Sequence, residues 1–100
     1  MGKVLVKPGR KTVEKLREPE AYRVILLNDD YTTMEFVVII LVNIFHKSIE
    51  DANRLTLEIH EKGKGIAGIY NWDIAITKAE QVHATASAHE FPLRCIVEQV

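Results

Sequence analysis

Asn28, Asp29 and Asp30 stand in a row, and His60 lies further along the chain. Together they offer an amide, two carboxylates and an imidazole, which supply acceptors, negative charge and a titratable nitrogen. Two chemistries use such a set. One is acid–base or metal-assisted hydrolysis carried by Asp29, Asp30 and His60. The other is binding, since loops held by a rigid scaffold are common places for ligand-holding groups. A hydrolase also needs a nucleophile or a metal-bound water, and a group that stabilises developing charge. Cys95 falls inside a strand, and His46, His83 and His89 read as scattered surface residues without metal-ligand spacing. No phosphate-binding glycine loop is present. The expectation is therefore a binding protein with no catalytic residue, no metal and no cofactor. On spacing alone the acidic triplet is first of all a turn, because Asn and Asp side chains compete for local backbone bonds. A lone His on a helix is, likewise, first of all a surface residue.

The elements that must position these groups follow from periodicity and capping. Tyr22 to Leu27 is β-rich and apolar on both faces apart from Arg23, which predicts a central strand. The triplet breaks it. Thr32-Thr33-Met34-Glu35 reads as a capping box with Thr32 as the cap, opening a helix to about His46. Phe36, Val37, Ile40, Leu41, Ile44 and Phe45 form its core stripe. Ser48 caps a second helix with Glu50 and Asp51 in its first turn, and Gly63 stops it after Lys62. Thr56, Ile59 and His60 share one face of that helix. Gly65 to Tyr70 reads as a second strand. Asn71 or Asp73 caps a third helix with Ala75, Ala79, Val82 and Ala86 at helical spacing. Pro92 ends that segment, and Leu93 to Val97 is the last strand. The predicted fold class is α+β, a small two-layer βααβαβ domain with a three-stranded antiparallel sheet packed against three helices. Strand order stays open. Met34 is either core filler or an adaptable pocket wall, and Trp72 is a packing residue.

A chain of 100 residues with 47% hydrophobic content supports one core. Residues 1–20 carry six basic and three acidic side chains, so the other 80 residues carry −4 of the net −1. That split, with Pro8, Gly9 and Pro19, predicts a flexible N-terminal extension at 1–20 and a folded core at 21–100. The near-neutral balance gives no reason to expect nucleic acid. The longest apolar run, Phe36 to Val42, is too short to span a bilayer, and no apolar leader or acylation signal opens the chain. Cys95 is the only cysteine, which excludes an internal disulfide and fits a reducing compartment. The expectation is a cytoplasmic monomer without membrane contact.

The run NDDYTTMEFV, His60, the segment TKAEQVHA and the closing FPLRC together resemble the ClpS family over roughly residues 20–98. The resemblance implies an adaptor, not an enzyme, that serves the N-end rule. Its substrates begin with Leu, Phe, Tyr or Trp, and it delivers them to the N-terminal domain of a ClpA-type AAA+ unfoldase. By position, Asn28, Asp30 and His60 would hold the substrate's α-amino group, with Asp29 in support. Leu26, Leu27, Thr32, Met34, Val37, Thr56, Ile59 and Leu93 would form the pocket for the first side chain. Asp73 and Lys78 would touch the unfoldase, and residues 1–20 would be the family's mobile extension. Less favoured is an interaction domain that modulates the unfoldase without binding N-degrons. The residue chemistry supports the first reading on its own terms. An ammonium with up to three donors needs a carboxylate and acceptors aimed from several sides, which Asp30, Asn28 and a neutral His60 provide. Two positions depart from the family pattern. Thr33 stands where Pro is common at the first helical position, with little effect expected on helix entry. Thr56 stands where a Met often lines the pocket, which makes the cavity wider or wetter there and leaves the order of preference among bulky residues open.

Overall fold

The structure, a computed structural model, describes residues 20–100. The expected extension at 1–20 thus lies, apart from Glu20, outside the described residues. The elements are β1 (Tyr22–Leu27), α1 (Met34–Asn43), α2 (Ile49–Lys62), β2 (Lys64–Tyr70), α3 (Trp72–Ala88) and β3 (Arg94–Gln99). This is the βααβαβ order and α+β class expected from the sequence. The sheet is antiparallel with order β2-β1-β3, so β1 is the central strand.

Side-chain alternation along β1 divides the molecule. Val24 and Leu26 face the helices and are buried with Phe36, Ile40, Leu41, Ile59 and Val82. Arg23 and Ile25 point to the other face. Helix α3 packs on all three strands, α2 packs on β2, and α1 packs on α2. Ala75, Ala79, Val82 and Ala86 are all buried, so the small residues at helical spacing are the contact stripe of α3. In β2 the register shifts between Val24 and Ile25: Val24 pairs with Gly68 and Ile25 with Ile66. This bulge breaks the period of two and leaves both Ile66 and Ile69 exposed.

Two local expectations are corrected. The N-cap of α1 is Thr33, whose hydroxyl accepts from the Phe36 amide at 3.1 Å. Thr32 is unavailable for capping because its amide and hydroxyl both bond Asp29. Thr33 is thus the residue before the helix, with extended backbone (ψ 151°), rather than its first residue. Helix α1 also stops at Asn43, short of His46. His46 adopts a left-handed φ of 58°, and the Lys78 ammonium donates to the Ile44 carbonyl at 2.6 Å. A cation from α3 therefore satisfies an orphan acceptor at the end of α1. His83 and His89 lie exposed at the surface, as expected, and each also makes a contact. His83 Nε2 accepts from the Cys95 amide at 3.1 Å, and the His89 ring packs on Phe36 at 5.2 Å. Ser48, Gly63 (φ 93°) and Asn71 cap as expected.

Candidate functional site

The β1–α1 loop is organised by one carboxylate. Asp29 Oδ1 accepts from the amides of Tyr31 (2.8 Å) and Thr32 (2.7 Å), and Oδ2 accepts from the Thr32 hydroxyl (2.7 Å). Partial burial pushes the Asp29 carboxyl up, but the bonds from Thr32 and Tyr31 outweigh it and hold its pKa below the ordinary value. Asp29 is consumed by the turn. Its neighbours Asn28 and Asp30 remain exposed, with side chains that the turn does not use. The Asn28 amide donates to the Gly63 carbonyl at 2.9 Å, which ties this loop to the end of α2.

Helix α2 supplies the opposite wall. Its left-handed stop at Gly63 lets the Gly63 amide donate back to the Ile59 carbonyl at 2.9 Å. The last turn therefore ends beside the loop, and the negative end of the α2 dipole lies at the same place as His60. The positive end of the α1 dipole meanwhile faces the carboxylates that precede it.

Between loop and helices lies a cavity of about 220 Å³. Asn28, Asp29, Asp30, Thr32 and His60 form its polar side, and Met34, Val37, Thr56 and Ile59 its apolar walls. Val37, Ile59 and Thr56 are buried, whereas Met34 is 43% exposed at the mouth. Two other hollows, of about 250 and 330 Å³, are more open and are bordered by long charged side chains such as Lys47, Arg54, Lys62 and Lys64. Only the first combines convergent polar groups with an apolar interior.

The sequence expectation named every residue lining this cavity. It also named three that do not line it. Leu26 is fully buried on the helix-facing side of β1, and Leu27 is one residue on, so alternation sends it to the opposite side. Leu93, 3% exposed, belongs to the hydrophobic core. What the sequence did not signal is Gly63 as the anchor of the loop, because that bond spans distant backbone groups. Asp73 lies exposed in the first turn of α3, and Lys78 is half-buried against the rings of Phe45 and Tyr70 as well as the Ile44 carbonyl.

Burial pushes the Cys95 thiol up to about 11, so it stays protonated and unreactive. Among the described residues, no group of three or more His, Cys, Asp or Glu side chains could hold a metal ion. No described helix is long and apolar enough to cross a membrane.

The family model for the ATP-dependent Clp protease adaptor protein ClpS matches residues 17–96. The chain belongs to the ClpS family. Relatives described as ATP-dependent Clp protease adapter protein ClpS agree with this. The Syntrophus aciditrophicus relative is 54% identical over 87 residues, covering 87% of this chain and 81% of the relative. That of Acetivibrio thermocellus is 49% identical over 96 residues, covering 96% and 95%. Among solved structures, Agrobacterium tumefaciens ClpS2 bound to L-phenylalaninamide matches with a TM-score of 0.80 and 35% identity, over 83% of this chain and all of the other. This ClpS-family chain is accordingly an adaptor of a Clp protease in protein degradation, and not a catalyst.

Proposed function

We propose that this adaptor holds the free α-amino group and the bulky hydrophobic first residue (Leu, Phe, Tyr or Trp) of its substrates, and passes them to a ClpA-type AAA+ unfoldase. The observation that carries the reading is the polar side of the cavity: Asn28, Asp30 and His60 converge above Met34, Val37 and Ile59. The substrate ammonium donates to the Asp30 carboxylate, the Asn28 side-chain oxygen and a neutral His60 nitrogen. Asp29 positions its two neighbours by holding the turn. The first side chain then enters the apolar interior, with the thioether of Met34 as an adaptable lip. L-Phenylalaninamide, the ligand of the A. tumefaciens ClpS2 structure, has the free amine and the bulky apolar side chain that such a site requires.

Delivery uses a different surface. Asp73, exposed at the start of α3, is the contact for the unfoldase's N-terminal domain, and Lys78 adds an anchored charge nearby. The adaptor works as a cytoplasmic monomer, with residues 1–20 as an extension needed for transfer rather than for binding. The test is a pair of Phe-first peptides, one free and one N-acetylated. Acetylation removes the charge and two of the three donors, and charge-assisted bonds contribute about 1.5–3 kcal/mol each. Affinity should fall at least about tenfold. Equal binding of the two peptides would show that the amine is not recognised.

A further inference from the structure

Thr56 lies one helical turn before His60, inside the cavity, and is only 2% exposed. Its hydroxyl has no hydrogen-bond partner among the described residues. A threonine in a helix commonly bonds the carbonyl one turn back, and this one makes no such bond. The other interior walls, Met34, Val37 and Ile59, are apolar. The cavity therefore holds one buried polar group in an otherwise apolar interior, and buried polar groups in folded proteins are nearly always paired.

We infer that Thr56 selects among first residues, its hydroxyl pairing with the phenol of a tyrosine so that tyrosine is bound in preference to phenylalanine. This rests on the amine-capture reading and extends it. Four residues of helix separate Thr56 from His60, about 6 Å along the axis. That span is comparable to the reach from an α-amine across an aromatic ring. With the amine held at His60, the far end of a ring comes level with Thr56. A phenol both donates and accepts, so it matches either orientation of the threonine hydroxyl. Phenylalanine and leucine fill the same space but leave the hydroxyl unpaired.

The experiment measures the affinity of the full chain for two free-amine peptides that differ only in Tyr or Phe at the first position. It is repeated with Thr56→Val, which keeps the branched shape and removes the hydroxyl, and with Thr56→Ser, which keeps the hydroxyl. A net hydrogen bond corresponds to about a three- to tenfold preference, so the wild type should favour Tyr by that factor. Thr56→Val should bring the ratio to about one or invert it, and Thr56→Ser should preserve it. Thermal melting confirms folding, which Thr56→Val should not impair because it removes an unpaired buried group. If both peptides bind with the same ratio in wild type and Thr56→Val, the assignment of Thr56 is wrong while amine capture stands. If neither peptide binds the wild type, amine capture itself fails and this inference falls with it.

Discussion

Two connections of similar length, β1–α1 and α3–β3, solve the same problem in opposite ways. In the first, a side chain satisfies the backbone: Asp29 takes the amides of Tyr31 and Thr32. In the second, the backbone satisfies itself. The Phe91 amide donates to the Ala86 carbonyl (2.9 Å) and the Glu90 amide to Ser87 (3.0 Å), with Glu90 in the left-handed region at φ 62°. The consequences diverge. Where one side chain makes the turn, its neighbours Asn28 and Asp30 stay free at the mouth of a cavity. Where the backbone makes it, the residues that follow are spent on packing: Phe91 lies on Phe36 at 4.8 Å, and Leu93 is buried. A binding loop needs polar groups released from structural duty, and only the first arrangement releases them.

The widest contrast comes from truncating one residue in each connection. Leu93→Ala should lower stability by about 2–5 kcal/mol, a large part of what a domain of this size has. The folded fraction should still bind a Phe-first peptide as the wild type does. Asp30→Ala should do the reverse, weakening that peptide about 10- to 100-fold while stability stays within about 0.5 kcal/mol. Denaturant titration and peptide binding, measured on both variants, check this. Leu93→Ala that binds weakly while remaining stable would make Leu93 a wall of the cavity after all.

Asp29 should fall between these extremes. Its bonds resemble those of a helix cap, so Asp29→Ala should cost about 0.5–2 kcal/mol and also weaken peptide binding by loosening Asp30. The pH dependence has a definite sign. The folded carboxyl's pKa is depressed below the ordinary 3.8, so its contribution is fully present above that value. It disappears as pH falls through the lower folded value. The gap in stability between wild type and Asp29→Ala should therefore be constant near neutrality and close on strong acidification. A gap that persists unchanged in acid would mean that the carboxylate's charge is irrelevant to the turn.

The smallest effect should come from relieving the second connection. A non-glycine residue pays for a left-handed backbone, so Glu90→Gly should raise stability by about 0.5–1 kcal/mol. Peptide affinity should not change. A loss of stability would mean that the Glu90 side chain contributes something its exposed position does not suggest.

Much of this architecture is written in short-range pattern. Ser48, Gly63 and Asn71 act on amides and carbonyls within one helical turn, so the caps of α2 and α3 are legible residue by residue. The face that unites Thr56, Ile59 and His60 follows from the helical period alone, as does the alanine stripe of α3. Competition within a few residues is already harder to read. The capping-box pattern pointed to Thr32, yet the cap is Thr33 because Asp29 had engaged Thr32. Contacts between distant segments were decided only by the tertiary structure. The strand order, the bulge in β2, Lys78 on the Ile44 carbonyl and Asn28 on Gly63 all join groups whose sequence separation no local period encodes. The same holds inside the cavity. Leu26, Leu93 and Ile59 are alike as apolar residues, and only the tertiary packing determined that Ile59 lines the space while the two leucines belong to the core.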